Sequence, residues 1–147
     1  MTDTFLLRPG DPLWEQTIAF AQSCSWRAGP VLAKRMRENA FQPWERVIAA
    51  AEDGTVIGYC TLTEKDDSAQ EGYAPFIGFV FVDEAHRGRR ISQRMIETAL
   101  RYAKGLGYGT VYLISDERGL YEKYGFTKLG DCETVFGTRE QLFCRGV

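Results

Sequence analysis

The chain has 147 residues, 44% hydrophobic and 26% charged, a length and composition that predict one soluble domain, residues 1–147, with a sizeable hydrophobic core. Its net charge of −2 argues against a general nucleic-acid binder, because such proteins carry a basic face. No segment reaches the ~20 apolar residues that a membrane span needs, and the first residues lack a signal-peptide pattern, so we expect a cytoplasmic protein.

The first half of the sequence predicts a strand, two helices and a hairpin. Asp11 and Pro12 have the residue types of an N-cap and a first helical position, and Asp53-Gly54 is typical of a two-residue hairpin turn. The predicted elements are a strand Thr4–Arg8, a helix from Asp11 to about Cys24, a helix opened by Gly29-Pro30, and strands Val47–Glu52 and Val56–Glu64.

The second half alternates strands and helices. A polar loop over 65–75 precedes a buried strand, and Gly125 is placed to end a short helical stretch. The predicted elements are a strand Phe76–Val82, a helix from Ile91, a strand Val111–Ile114, a helical stretch Glu117–Tyr124, and strands Phe126–Leu129 and Gln141–Arg145. The order β-αα-βββ-αβ-αββ predicts a mixed α/β sheet flanked by helices.

Three arginines stand between the strand Phe76–Val82 and the helix that follows it. Arg87, Arg89 and Arg90 lie where the helix dipole and free N–H groups already make the helix end positive. A phosphate-bearing ligand resolves this conflict, since it accepts from the N–H groups and neutralises the guanidinium groups. A solvated basic turn is the alternative that this segment alone leaves open.

Two motifs at this spacing resemble the GNAT superfamily of N-acetyltransferases. The segment Arg87-Gly88-Arg89-Arg90-Ile91-Ser92 is similar to the family's pyrophosphate loop, Gln/Arg-x-x-Gly-x-Gly/Ala, but departs from it at Arg90 and Ser92, where glycines are usual. Tyr121 through Phe126 matches the family's Tyr-x-x-x-Gly-Phe run without change. The resemblance implies a mostly antiparallel sheet with a central parallel pair that splays apart, the strand Phe76–Val82 meeting Val111–Ile114.

The resemblance also implies a site for acetyl-CoA. Its pantetheine arm would pair with the end of the central strand, and its pyrophosphate would lie on the loop and first helical turn. The implied residues are Val80, Phe81, Val82, Arg87, Gly88, Arg89, Arg90, Ile91, Ser92 and Gln93. Because side chains disfavour positive φ, we expect ordinary helical or bridge dihedrals at Arg90 and Ser92.

Tyr121 is the catalytic residue that the resemblance implies. Its hydroxyl would give a proton to the departing thiolate, and a core tyrosine is the alternative.

Four carboxylates are candidates for the general base, each of which also fits a solvated surface position: Glu84, Asp116, Glu117 and Glu45. His86 fits a surface residue or a phosphate contact. Asp66, Asp67 and Glu71 would suit a cationic acceptor or merely a solvated loop.

No metal site is expected, because Cys24, Cys60, Cys132 and Cys144 are widely spaced and accompany one histidine. The four cysteines are predicted to be free thiols.

The implied function is acetyl-CoA-dependent N-acetyl transfer to a primary amine of a small molecule or peptide. A catalytically idle CoA-binding regulatory module of the same fold is the alternative. Expected partners are acetyl-CoA and an amine acceptor, without nucleic acid or membrane, and a homodimer is left open.

Overall fold

The computed structural model describes residues 1–66, 72–134 and 137–147, so Asp67 and Glu71 lie outside it. Within these ranges one seven-stranded sheet has the order β1-β2-β3-β4-β5-β7-β6. The strands are β1 (Thr2–Leu7), β2 (Arg46–Glu52), β3 (Thr55–Thr63), β4 (Phe76–Val82), β5 (Thr110–Ser115), β6 (Thr127–Glu133) and β7 (Arg139–Gly146). The helices are α1 (Pro12–Ser23), α2 (Gly29–Arg37), α3 (Ile91–Gly105) and α4 (Leu120–Lys123), with a 3-10 turn at Glu84–His86.

The predicted mixed sheet with a central parallel pair is confirmed. Over the described chain, β4 and β5 run parallel, and the other neighbouring strands pair antiparallel. The parallel register joins Phe76 to Tyr112 and Ile77 to Leu113. Beyond these two pairs the strands separate, so the carboxyl end of β4 has no strand beside it on that side.

A β-bulge lies in β4 where the separation begins. Tyr59 of β3 pairs with Phe81 and Thr61 pairs with Gly78, so β4 carries one residue more than its partner over this stretch. Phe79, inside the bulge, has a φ of 52°. An extra residue in one strand interrupts the ladder and turns a local N–H away from its partner strand, here at the point where β5 departs.

The helices cover both faces of the sheet. Helix α3 packs its apolar stripe, including Ile91, Met95 and Ile96, against one face. Helices α1 and α2 cover the other face through residues such as Ile18 and Leu32. Burying each such side chain stabilises the fold by about 1.5–3 kcal/mol relative to exposure, and these layers fix β4 and the start of α3 against each other.

The strand ends differ from the predicted bounds by up to four residues, as in β6, which ends at Glu133 where the sequence predicts Leu129, and two helix starts also differ. Asp11 is extended, as an N-cap should be, but its carboxylate accepts from the backbone N–H of Arg8 at 2.7 Å and caps no helical N–H. The predicted helical stretch Glu117–Tyr124 is helical from Leu120 to Lys123, because Gly119 at φ 84° starts the helix late. Gly125, at φ 88°, ends it as predicted.

The four cysteines are free thiols, as predicted, with Cys60 and Cys132 buried. Across the described ranges, no helix has the length and apolar character needed to cross a membrane.

Candidate active site

A cleft of about 880 Å³ opens where β4 and β5 diverge. One side, the β4–α3 wall, consists of the end of β4, the turn after it and the first turn of α3 (residues 80–93). The opposite side, the β5–α4 wall, consists of the end of β5 and α4 (residues 115–124). Ser25 and Trp26, from the connection between α1 and α2, close one end.

The cleft collects the site residues that the sequence predicted, with the exception of Arg89. Those that line it are Val80, Phe81, Val82, Arg87, Gly88, Arg90, Ile91, Ser92, Gln93 and Tyr121. Residues forty positions apart in sequence thus face one another across a single opening.

The backbone before α3 corrects one sequence prediction. Arg90 does not hold an ordinary helical dihedral: it is left-handed, with φ 59° and ψ 28°, at the N-cap of α3. Gly88 is also at positive φ, 82°, and Arg89 between them is not. Left-handed residues that alternate with right-handed ones can turn successive N–H groups toward one side and so form a nest for an anion. Ser92 is helical, as predicted.

The left-handed conformation of Arg90 costs about 1–2 kcal/mol for a residue with a side chain. The glycine that the sequence lacks at this position would have avoided that cost. The chain nevertheless keeps the conformation, because the buried Ile91 and the end of β4 fix both ends of the short connection. Arg90 is thus left-handed although its residue type disfavours that conformation.

Two arginine side chains of the loop are held by the protein itself. Arg87 donates from Nε to the carbonyl oxygen of Val82 at 3.0 Å and lies over the Phe81 ring at 5.4 Å. Arg89 pairs with the Glu52 carboxylate through both guanidinium nitrogens, at 3.0 and 3.1 Å. Its hydrogen bond is the main cause that lowers the pKa of Glu52. The Arg89 side chain therefore faces β2, and this residue is not among those that line the cleft.

His86 belongs to the same network and also borders the cleft. Its Nδ1 lies 2.9 Å from an Asp83 carboxylate oxygen, and its Nε2 lies 3.4 Å from Glu52. The imidazole is therefore oriented by two carboxylates, with an exposed fraction of 29%. Arg90 lines the cleft as well.

Tyr121 projects from α4 into the cleft, yet it is only 5% exposed. Its ring meets those of Phe126 and Phe143, with centroids 6.2 and 5.8 Å away. Burial raises the pKa of the Tyr121 hydroxyl above its usual value, the Glu117 carboxylate raises it further, and a hydrogen bond with Ser115 opposes them. The hydroxyl is therefore protonated at neutral pH and can act as a proton donor.

Three of the four candidate bases line the cleft: Glu84, Asp116 and Glu117. Glu84 accepts a hydrogen bond from the Ser25 hydroxyl. Glu45 lies elsewhere, where its carboxylate accepts from the backbone N–H groups of Gln42 and Glu64, each at 2.7 Å. Its role is to join two segments of backbone.

Sequence reasoning did not assign several of the lining residues to the site, namely Ser25, Trp26, Ser115, Leu120 and Lys123. Trp26 stacks on Phe81 with ring centroids 5.9 Å apart and an interplanar angle of 5°. Ser115 ends β5, and a polar residue at the end of a buried strand is a signal that could have found it. Trp26 gives no such signal, because its contact depends on how α1 and α2 lie over the sheet.

In the part of the chain that the structure describes, no group of three His, Cys, Asp or Glu side chains is arranged to hold a metal ion.

Residues 13–126 match the model of the Acetyltransferase (GNAT) family, which is most of the chain. The chain therefore belongs to the GNAT acetyltransferase family, as its motifs had indicated.

Relatives and solved structures agree with this assignment. The chain is 28% identical over 99 residues to the "Uncharacterized N-acetyltransferase YhbS" of Escherichia coli K12, an alignment that covers 65% of this chain and 56% of the relative. The chain thus spans little more than half the length of the curated relatives it matches.

Two solved structures have the same fold. A crystal structure of aminoglycoside 6'-acetyltransferase type Ii superposes with a TM-score of 0.77 at 16% identity, covering 98% of this chain and 96% of that one. A crystal structure of Escherichia coli YhbS in complex with CoA superposes with a TM-score of 0.70 at 20% identity, covering 99% and 81%. At these identities the structures support the fold alone.

Proposed function

We propose that this protein transfers the acetyl group of acetyl-CoA to a primary amine of a small molecule or peptide. The observation that carries the proposal is the cleft between β4 and β5, which contains an N–H nest at the start of α3 and a protonated, buried tyrosine hydroxyl on the opposite wall. This arrangement suits a long ligand with an anionic end and a reactive thioester.

The β4–α3 wall supplies the cofactor contacts in this proposal. The pyrophosphate accepts from N–H groups of residues 88–93, where the nest and the dipole of α3 both favour an anion. The pantetheine arm pairs with the backbone of Val80 to Val82 on the edge that faces β5, where β4 and β5 are no longer paired; the other edge is paired with β3. Arg90, which faces the cleft, adds a cation, whereas Arg87 and Arg89 keep the loop in shape through Val82 and Glu52.

The chemical step transfers the acetyl group from the thioester sulfur to the amine nitrogen. The lone pair of a neutral amine attacks the thioester carbonyl carbon, a C–N bond forms, and the C–S bond breaks. The thiolate that leaves takes the Tyr121 proton, and the one proton released by the nitrogen is relayed through water or a carboxylate to the tyrosinate, which restores the hydroxyl. Orientation and polarisation of the carbonyl by an N–H at the β4 bulge lower the barrier.

The acceptor in this proposal is a cation in solution that loses a proton before it attacks. Asp116 and Glu117 at the end of β5 and Glu84 on the opposite side place three carboxylates around the cleft. They attract an ammonium group and can accept its proton. Trp26 adds an aromatic surface beside them.

Calorimetry with acetyl-CoA and with acetyl-pantetheine, which lacks the nucleotide and its phosphates, tests cofactor recognition. We expect acetyl-CoA to bind and acetyl-pantetheine to bind at least about tenfold more weakly, since charge-assisted hydrogen bonds contribute about 1.5–3 kcal/mol each. Equal affinities would contradict the nest as the pyrophosphate site.

A screen for thiol release from acetyl-CoA then separates the enzyme from its rival. Polyamines, amino acids, aminoglycosides and peptide amines are offered in turn, and the product is verified by mass. Turnover with one class supports the proposal. Tight acetyl-CoA binding without thiol release for any class favours the idle CoA-binding module.

A further inference from the structure

Helix α4 is too short to hold Tyr121 in place through its own hydrogen bonds. It has four residues, Leu120–Lys123, and glycines at positive φ flank it: Gly119 at 84° and Gly125 at 88°. An isolated helical turn is unstable in water, so the position of the Tyr121 hydroxyl depends on what surrounds α4.

The side chain of Arg145, on β7, makes one of these surrounding contacts. Its Nη1 donates to the carbonyl oxygen of Tyr124, the C-cap residue of α4, at 2.7 Å. The same nitrogen donates to a Glu97 carboxylate oxygen on α3 at 2.8 Å. One half-buried guanidinium therefore joins the end of α4 to the middle of α3.

Gly125 gives this guanidinium the room that it needs. A Cβ added to Gly125 would lie 3.3 Å from Nε of Arg145, a tight contact. The glycine of the Tyr-x-x-x-Gly-Phe run thus turns the chain and also leaves the approach of Arg145 open.

A second hydrogen bond joins the same two elements nearer to the cleft. The hydroxyl groups of Ser92 and Tyr124 lie 2.8 Å apart. Ser92 is in the first turn of α3, and Tyr124 is three residues after Tyr121. The two walls of the cleft are thus connected through Tyr124, by its carbonyl to Arg145 and by its hydroxyl to Ser92.

We infer that Arg145 is a positioning residue for catalysis: through the Tyr124 carbonyl and Glu97 it fixes α4 on α3, so that the Tyr121 hydroxyl faces the thioester. The inference rests on the proposed function for its kinetic part, and on hydrogen-bond geometry alone for its structural part. Arg145 itself is absent from the residues that line the described cleft, so it acts through Tyr121.

Amide hydrogen exchange measured by NMR tests the structural part without an acceptor. The N–H groups of Tyr124, Gly125 and Phe126 close α4 by bonding to carbonyls of Tyr121 and Glu122. With acetyl-CoA present, Arg145→Gln should speed their exchange by roughly tenfold or more. Arg139→Gln is the matched control: Arg139 is also on β7, is 79% exposed and pairs with Asp131 away from the cleft. Unchanged exchange in a folded Arg145→Gln protein would overturn the inference.

Kinetics with acetyl-CoA and the amine found in the screen test the catalytic part. Arg145→Gln should lower kcat by about tenfold with the KM for acetyl-CoA within about twofold, because a small misplacement of a catalytic group is costly. Arg145→Lys, which keeps a donor, should recover part of the loss. In a Tyr121→Phe background the effect of Arg145→Gln should nearly vanish, since residues that act through one another are not additive.

The outcomes of the two experiments are distinguishable. An equal loss of kcat in both backgrounds would overturn the positioning role, because a general structural effect does not need Tyr121. Absence of turnover by the wild type with every amine counts against the proposed function alone, and the exchange experiment still decides whether Arg145 fixes α4.

Discussion

The two walls of the cleft are built by different means. The β4–α3 wall takes its shape mainly from backbone: the bulge at Phe79 just before it, positive φ at Gly88 and Arg90, and the start of a fifteen-residue helix. The Arg87 and Arg89 side chains hold this path through Val82 and Glu52. The β5–α4 wall consists of a strand end and a four-residue helix, and side chains from other elements fix it. Backbone donors tolerate a change of residue type, whereas a hydroxyl on a short helix depends on particular neighbours.

This difference explains how the chain accommodates Arg90 and Ser92 where the family pattern has glycines. An N–H nest depends on the path of the chain rather than on the residue type, and Arg90 adopts a positive φ despite its side chain. Ser92 uses its hydroxyl to contact Tyr124, and it thereby serves the opposite wall. Under the proposed function, the family motif is therefore changed at positions where the backbone, rather than the side chain, would contact the anion.

The largest effect that we expect tests the β5–α4 wall. Tyr121→Phe removes one hydroxyl and little volume, so kcat should fall by about 10²-fold, the lower range for a general acid. Acetyl-CoA affinity and the melting temperature should stay close to those of the wild type. Steady-state kinetics, calorimetry and thermal unfolding measure the three quantities. Full activity in the variant would remove Tyr121 from the mechanism.

A second prediction tests the β4–α3 wall through its backbone. Gly88→Pro removes an N–H and cannot adopt the φ of 82°, so acetyl-CoA affinity should fall by about 10-fold or more, the value of one charge-assisted hydrogen bond. Gly107→Pro, a similar misfit at the far end of α3 where φ is 99°, is the control. It should lower stability and leave affinity unchanged; an unchanged affinity in folded Gly88→Pro would refute this placement of the pyrophosphate.

A third, smaller effect separates the conformation of Arg90 from its charge. Arg90→Gly should raise the free energy of unfolding by about 0.5–1 kcal/mol, because glycine adopts positive φ without the cost that a side chain brings. Arg90→Ala keeps the strained conformation and should bring no such gain, as denaturant unfolding can measure. The same two variants also test the Arg90 charge. If backbone N–H groups supply most of the binding energy for the pyrophosphate, both variants should keep an acetyl-CoA affinity within about tenfold of the wild type, since one exposed cation contributes little. A much larger loss of affinity in both variants would mean that the Arg90 guanidinium recognises the pyrophosphate instead.

Much of the fold could be predicted from the sequence, because local signals agree with the final architecture. Asp53 and Gly54 adopt positive φ, 51° and 85°, in the predicted hairpin turn. The apolar run of β4 and the helical spacing of Ile91 and Met95 likewise led to the correct elements. Periodicity and turn residues depend on neighbours in the chain, so they can be recognised without knowledge of the tertiary structure.

The site could be predicted only in part, because its details are long-range. The arginine at position 90 disfavours a left-handed conformation, and only the glycine that is usual there in the family pattern points to one; in this chain the conformation follows from how β4 and α3 are fixed. The contact of Trp26 with Phe81 and that of Arg145 with Tyr124 join elements far apart in the chain. Charge alone also could not separate Arg89, which pairs with Glu52, from Arg90, which faces the cleft.

The last and smallest effect that we expect is in the pH dependence of kcat, which tests the Tyr121 hydroxyl of the β5–α4 wall. A proton donor fails when it loses its proton, so an ordinary tyrosine would cause kcat to fall as pH approaches 10. Burial and the nearby Glu117 carboxylate raise the pKa of Tyr121 above that usual value, and the protonated form therefore persists. We expect kcat to rise as the amine loses its proton and then to stay level up to about pH 10. A decline between pH 8 and 9 that is present in the wild type and absent in Tyr121→Phe would mean that the hydroxyl is more acidic than its buried position on α4 implies.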